Sequence, residues 1–280
     1  MTLDPFGSRL RTAMDKRGPL CVGIDPHSAL LAAWGLNDDV AGLETFSRTV
    51  VEALADRVAV LKPQSAFFER FGSRGIAVLE QVIADARAAG ALVLADVKRG
   101  DIGSTAQAYA QAYLDPASPL FSDAMTASPY LGVGSLDPLF ATAAANGAGV
   151  FVLGLTSNPE GREVQHATVP DGRTVAQSVL DAVGALNAGA SPLGSIGVVV
   201  GATIGATGHD LGAVNGPFLA PGIGAQGATA ADLRTVFGSA TGAVLPATSR
   251  EVLREGPGVP GLRDAAERAL EACRAVLVDA

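Results

Sequence analysis

Short apolar runs alternate with longer amphipathic stretches from one end of the chain to the other. Eight of these runs predict β-strands, at 20–25, 58–62, 91–98, 122–127, 149–155, 196–202, 217–221 and 243–247. Most of them are apolar at nearly every position, which is typical of strands buried on both faces. The pattern therefore predicts an α/β fold built on a parallel sheet.

Helical periodicity fills most of the intervals between the runs. Leu43, Phe46, Val50 and Leu54, for example, form one apolar stripe at helical spacing. Further helices are predicted at 105–114, 135–146, 174–188, 229–237, 249–255 and 261–279. Two intervals differ from this pattern. The segment 208–216 leaves little room for a regular helix, and 157–173 carries turn signals that predict an exposed loop.

Eight strand–helix units without a break in composition favour a closed (β/α)8 TIM barrel, with residues 1–280 as its single domain. A doubly wound open sheet is the alternative. The open sheet is less favoured, because a dinucleotide-binding sheet would carry a GxGxxG sequence after its first strand and this chain has none there.

Composition narrows the classes of partner. The formal net charge is −8, so the chain as a whole gains nothing from long-range attraction to nucleic acid or to an anionic membrane. The sequence has neither an apolar run long enough to span a membrane nor the apolar core of a signal peptide. Cys21 and Cys273 both lie in apolar patterns and are interpreted as reduced core thiols. We expect a cytoplasmic protein.

Charged residues cluster where the first three predicted strands end. They are Asp25 in the first strand, Lys62 in the second, and Asp96 and Lys98 in the third, with Asp101 shortly after. Side chains alternate across a strand, so Asp96 and Lys98 face the same way. In a barrel, the carboxyl ends of the strands form the usual active-site face. Buried charges are costly unless paired, so alternating lysines and aspartates predict a fixed ionic network there.

A second candidate feature lies near the other end of the chain. Barrels often bind phosphate with the loops after the seventh and eighth strands. Here these loops read GIGAQGAT and TSREV, and they supply glycine amides, Gln226 and Arg250. Arg250 stands at a predicted helix start, which favours an anion. The three histidines are isolated, and their spacing does not indicate a metal site.

The segment ADVKRGDIGST, residues 95–105, resembles the Asp-x-Lys-x-x-Asp motif of the orotidine 5′-phosphate decarboxylase family in its KRxDIxxT form. Other segments fall in the order of that family: GID at 23–25, LKPQ at 61–64, SNP at 157–159, VVGAT at 199–203, PGIGAQG at 221–227 and SR at 249–250. The resemblance covers nearly the whole chain and is closest to the longer subgroup of the family. It implies conversion of orotidine 5′-phosphate to UMP and carbon dioxide without metal or cofactor.

The resemblance also implies roles for individual residues. Lys62, Asp96, Lys98 and Asp101 match the charged tetrad of the family, and Lys98 is expected to stabilise and protonate the carbanion at C6. A homodimer is implied, in which Asp101, Ile102 and Thr105 reach the site of the partner. The remaining contacts implied are Asp25 to ribose hydroxyls, Ser128 or Thr126 to the pyrimidine, and Pro221, Gln226 and Arg250 to the phosphate.

Two alternatives stay open from the residues alone. A sugar-phosphate lyase of the same superfamily shares the DxKxxD element and the phosphate site, but it would need a divalent metal. A non-catalytic barrel that only binds a phosphorylated ligand gives no reason to bury Asp96 beside another anion. A Schiff-base aldolase is disfavoured, because pairing with carboxylates keeps Lys62 and Lys98 protonated and non-nucleophilic.

Overall fold

Eight parallel strands close into a barrel in the computed structural model, which describes residues 3–224 and 227–277. The strands are β1 Cys21–Ile24, β2 Val60–Pro63, β3 Leu92–Arg99, β4 Ala124–Ala127, β5 Gly149–Leu155, β6 Ile196–Val200, β7 Phe218–Pro221 and β8 Val244–Thr248. Each strand pairs with the next along the chain, and β1 pairs with both β2 and β8. This closure confirms the predicted TIM barrel and rules out the open sheet.

Helices surround the barrel and follow the predicted intervals. They are α1 Phe6–Arg17, α2 Ser28–Ala33, α3 Val40–Leu54, α4 Ala66–Glu69, α5 Gly72–Ala88, α6 Gly103–Leu114, α7 Asp137–Asn146, α8 Gly161–Gln165, α9 Val175–Leu186, α10 Ala230–Phe237, α11 Arg250–Leu253 and α12 Val259–Leu277. The stripe predicted within α3 is buried. Among the helices described, none is both long enough and apolar enough to cross a membrane.

The intervals that lacked a helical pattern behave differently from one another. Between β6 and β7 the structure contains only a short 3₁₀ helix, Gly212–Val214, as the sequence predicts. The prediction of an exposed loop at 157–173 is incomplete, because this segment contains α8 and a bridge between Thr168 and Thr174. None of the residues of α8 is buried, which explains why no apolar stripe marks the helix in the sequence.

Helix α1 closes the amino-terminal end of the barrel. Its buried side chains Phe6, Leu10 and Met14 belong to the same apolar cluster as the residues that point into the barrel. Phe6 packs edge-on against Phe151 and fits over β5 because Gly149 has no side chain, since a Cβ there would lie 2.3 Å from the ring. With this end filled, the carboxyl ends of the strands are the end open to a ligand.

The pairing of β3 with β4 is irregular at one point. Ala95 pairs with Met125 and Arg99 with Ala127, so β3 contains two more residues than β4 between these pairs. Lys98 lies in this bulge with φ of 44°, in the left-handed region that is uncommon for residues other than glycine. Bulges of this kind often redirect a side chain near an active site.

Candidate active site

A cavity of about 340 Å³ lies at the carboxyl ends of the strands. Residues near the carboxyl ends of all eight strands line it, which matches the usual location of active sites in this fold. Asp25, Lys62, Asp96 and Lys98 all line this cavity. The prediction that these four residues converge from three neighbouring strands is therefore confirmed.

Asp96 is the centre of the charged network. Its Oδ2 accepts hydrogen bonds from Lys62 Nζ at 2.9 Å and from Gln64 Nε2 at 3.0 Å. Its Oδ1 accepts from Lys98 Nζ at 2.5 Å and from Thr126 Oγ1 at 3.0 Å. A carboxylate has about four acceptor positions, so these four donors use its full capacity. The side chains of Lys62 and Asp96 are 10% and 8% exposed, whereas that of Lys98 is 48% exposed.

The network keeps both members of its buried pair ionised. Burial alone would raise the pKa of Asp96, but the ammonium groups of Lys62 and Lys98 outweigh burial and lower that pKa well below its ordinary value of 3.8. Burial likewise opposes the charge of Lys62, but the carboxylates of Asp96 and Asp25 outweigh it and raise the Lys62 pKa above 10.5. Near neutral pH the site therefore presents fixed charges.

Unused hydrogen-bonding capacity lies at the junction of β8 and β1. Asp25 Oδ1, Thr248 Oγ1 and Ser249 Oγ are buried and have no hydrogen-bond partner among the residues described. All three residues line the cavity. Buried polar atoms are usually satisfied, so three such atoms facing one cavity indicate a ligand that carries hydroxyl or other polar groups.

The predicted phosphate-binding residues lie on the same side of the cavity. Pro221 at the end of β7 and Arg250 at the start of α11 both line it, and Arg250 is exposed. Gly222 and Gly224 have φ values of 115° and 76°, which only glycine adopts readily, so this loop depends on its glycines. Gln226 lies outside the described residues.

Four other residues implied by the resemblance do not line this cavity. Asp101, Ile102 and Thr105 lie beyond β3, and the Asp101 carboxylate accepts from the Ile102 amide at 2.8 Å instead of joining the network. Ser128 also lies outside the cavity. It follows the end of β4 at Ala127, and its amide donates to Arg99 O at 2.8 Å. Of the two hydroxyls considered for the pyrimidine, the one on the cavity is Thr126.

The sequence interpretation missed several residues that line the cavity. Gln64 contacts Asp96, and alternation along the LKPQ segment places it two positions after Lys62, which was a usable signal. Thr156, Ser157 and Asn158 follow β5 and also line the cavity. The sequence pattern indicates only a turn and a family segment from position 157 onward. Polar residues directly after a barrel strand are the signal that places these three on the cavity.

Together, the closed barrel and a charged cavity at the carboxyl ends of its strands are the architecture of a (β/α)8-barrel enzyme. The family model described as "Orotidine 5'-phosphate decarboxylase / HUMPS family" matches residues 18–264, and the chain belongs to this family.

Individual relatives cover almost the whole chain. An orotidine 5'-phosphate decarboxylase of Salinispora arenicola is 70% identical over 275 residues, which cover 98% of this chain and 99% of the relative. A solved structure of a Streptomyces avermitilis protein assigned to the same activity superposes with a TM-score of 0.97 at 66% identity, covering 99% and 98% of the two chains. The OMP decarboxylase of Leishmania donovani superposes with a TM-score of 0.77 at 32% identity and covers both chains completely.

Proposed function

We propose that this protein is an orotidine 5′-phosphate decarboxylase, a carboxy-lyase that converts orotidine 5′-phosphate to UMP and carbon dioxide. The observation that carries the proposal is the Lys62–Asp96–Lys98 network on the cavity, in a chain about as long as its relatives and 70% identical to one that bears this name. This activity belongs to UMP biosynthesis, which we expect to take place in the cytoplasm.

The chemistry needs an environment of fixed charge. The bond from C6 of the pyrimidine to the carboxylate breaks, carbon dioxide leaves, and the electron pair stays on C6. No neighbouring group delocalises that pair, so stabilisation has to come from preorganised electrostatics. In the proposal, the Lys98 ammonium lies beside C6, offsets the developing charge and transfers a proton to C6. Water then returns a proton to Lys98, and the enzyme regains its initial state.

Asp96 and Lys62 prepare this arrangement. Asp96 holds the Lys98 ammonium through Oδ1 and neutralises Lys62 through Oδ2, so the two cations are fixed on one carboxylate. The substrate carboxylate would approach Asp96, and repulsion between them ends when carbon dioxide departs. Orientation of Lys98 is the part of this role that the contacts support directly.

The phosphate of the substrate is remote from the reacting carbon, and its binding contributes to positioning. We expect Arg250→Ala to lower kcat/KM by about 10²-fold, mainly through KM, because one charge-assisted hydrogen bond is lost. Arg254→Ala is the matched control, since Arg254 lies on the surface beside Glu255 with its side chain 64% exposed. Steady-state kinetics measure both variants. An unchanged KM in Arg250→Ala would remove Arg250 from the phosphate site.

We also propose that two copies of the chain form a homodimer with shared sites. Ile102 is 62% exposed, and Tyr130 and Leu131 after the adjacent β4 are 78% and 53% exposed, so an apolar surface lies next to the segment of Asp101. Asp101 does not contact the network of its own chain. In the proposed dimer, Asp101, Ile102 and Thr105 complete the site of the partner.

A complementation experiment tests this arrangement. Lys98→Ala and Asp101→Ala are produced separately and by co-expression. If the site is shared, a mixed dimer has one site with both substitutions and one with neither, so co-expression restores about a quarter of wild-type activity. Co-expression of Lys98→Ala with Asp96→Asn is the control and restores none, because both residues belong to the same chain's site. Absence of recovery with Asp101→Ala would exclude sharing.

The activity is tested by following the loss of orotate absorbance when purified protein is mixed with orotidine 5′-phosphate, with and without EDTA. Turnover that EDTA leaves unchanged supports the proposal. Folded protein without turnover contradicts it. A sugar-phosphate substrate with added divalent metal then tests the lyase, and binding of UMP without turnover identifies a ligand-binding barrel.

A further inference from the structure

Thr126 lies on β4 opposite the bulge in β3, and its hydroxyl makes three hydrogen bonds to residues of that bulge. Its Oγ1 accepts from the backbone amides of Val97 at 3.0 Å and Lys98 at 2.9 Å, and it donates to Asp96 Oδ1 at 3.0 Å. A hydroxyl has one donor and two acceptor positions, so these contacts use all of them. Thr126 is 1% exposed, and its hydroxyl therefore has little competition from water.

The hydroxyl replaces backbone pairing that the bulge removes. Between Ala95 and Arg99 the register of β3 against β4 shifts, and the amides of Val97 and Lys98 point to the Thr126 side chain instead of a β4 carbonyl. Within the same segment Lys98 has φ of 44°, a conformation that persists in a non-glycine residue only where its surroundings hold it.

We propose that Thr126 is a positioning residue that sets the direction of the Lys98 ammonium. Two contacts define where that ammonium lies: the Lys98 backbone, held by Thr126, and Asp96 Oδ1, to which both Lys98 and Thr126 donate. The catalytic meaning of this clamp rests on the role of Lys98 in the proposed function. The clamp consists of the three hydrogen bonds of Thr126 Oγ1 to Val97, Lys98 and Asp96, and these contacts do not depend on that role.

Lys98 depends on this support more than Lys62 does. The Lys98 side chain is 48% exposed and has four rotatable bonds, so packing restrains it weakly. Lys62 is buried, and its backbone lies in the regular part of β2, paired with Gly23 of β1. Loss of the Thr126 hydroxyl should therefore displace Lys98 while it leaves Lys62 and the cavity walls in place.

The test compares Thr126→Val, which replaces the hydroxyl by a methyl group, with Thr126→Ser, which keeps the hydroxyl. We expect Thr126→Val to lower kcat for orotidine 5′-phosphate by about 10²-fold, the effect of a displacement of about 1 Å at a reacting group. KM and the dissociation constant of UMP should stay close to wild type, and Thr126→Ser should retain most of the activity. Ser47→Ala is the control, because Ser47 has a buried hydroxyl on α3 and does not line the cavity.

Amide hydrogen exchange gives a second readout that needs no activity. Exchange of the segment 96–99 should accelerate in Thr126→Val and not in Thr126→Ser. If the valine variant does not fold, Thr126→Ala removes the hydroxyl without placing a methyl group beside two amides, and the same comparison is made with it.

Three results would overturn the inference. One is wild-type kcat in a folded variant without the hydroxyl. Another is an equal loss of kcat in the serine variant, which would assign the effect to packing of the methyl group. The third is unchanged exchange of the segment 96–99. If the proposed function is wrong, the wild-type protein itself lacks turnover. The exchange measurement then still shows whether the Thr126 hydroxyl holds the segment 96–99.

Discussion

Lys98→Ala lowers kcat by about 10⁴-fold or more if Lys98 both stabilises the carbanion and protonates it, since general acid catalysis and electrostatic stabilisation each contribute several orders of magnitude. The variant should bind UMP and stay folded, because the Lys98 side chain is half exposed and Asp96 keeps three of its four donors. Removal of the side chain therefore separates chemistry from binding.

The measurement needs protein free of host enzyme, so the variant is expressed in a strain that lacks its own decarboxylase. The chain has three lysines, and Lys16 on α1 is the one outside the network, which makes Lys16→Ala the matched control. Wild-type turnover in the control and none above background in Lys98→Ala is the expected pair of results. A Lys98→Ala enzyme with substantial turnover would contradict the mechanism proposed for this site.

Asp96→Asn should impair both stability and turnover. The asparagine side chain has an NH₂ group in place of one carboxylate oxygen. The two donors that bonded to that oxygen in the wild type therefore meet a donor instead of an acceptor. Lys62 stays buried, and Asp25 remains as a nearby anion. Removing one partner of a buried pair costs about 3–5 kcal/mol, and the proximity of Asp25 places our expectation near 3 kcal/mol. Urea unfolding at neutral pH measures this loss.

The stability difference between wild type and Asp96→Asn should also depend on pH in a defined direction. Folding lowers the pKa of Asp96 below 3.8, so the wild-type advantage is complete above about pH 4 and shrinks as the pH falls further. Folding raises the pKa of Lys62 above 10.5, so that contribution is lost only as the pH rises beyond this value. Around neutral pH the difference should therefore be flat.

Asp171→Asn provides the comparison for this experiment. Asp171 pairs with Arg173 at the surface, and its side chain is 51% exposed. Surface pairs contribute about 0–1 kcal/mol, so this variant should stay close to wild type. An Asp96→Asn protein as stable as Asp171→Asn would show that the buried network contributes no more than a solvated pair.

The sequence was informative wherever one physical pattern dominated. The run at 149–155 coincides with β5, because a strand buried on both faces is apolar throughout and is bounded by polar or glycine-rich turns. The short helices α2 and α4 were not predicted, since six and four residues are too few to establish a helical period. Both follow strands directly and are held by tertiary packing.

At the site, the positions of the charged residues at strand ends, with alternation between Asp96 and Lys98, place Lys62, Asp96 and Lys98 on one cavity, as the structure shows. The bulge in β3 was not predictable, because nothing in ALVLADVKRG marks where the register shifts. That shift gives Thr126 its three contacts with β3, and it is the reason that Thr126 and not Ser128 belongs to the network. Local sequence determines which residues a strand carries, whereas contacts between strands determine which of them act together.

The backbone of Lys98 has a consequence for the evolution of this barrel. Its left-handed conformation is one that glycine adopts without strain and lysine does not, so glycine at position 98 would relieve strain of about 1–2 kcal/mol. Selection for thermal stability alone favours glycine at this position to the extent that the strain relieved exceeds the loss of the Lys98–Asp96 ion pair. Laboratory selections for heat resistance in this protein should include a growth requirement for UMP synthesis, since glycine at position 98 would remove the ammonium that the proposed chemistry needs.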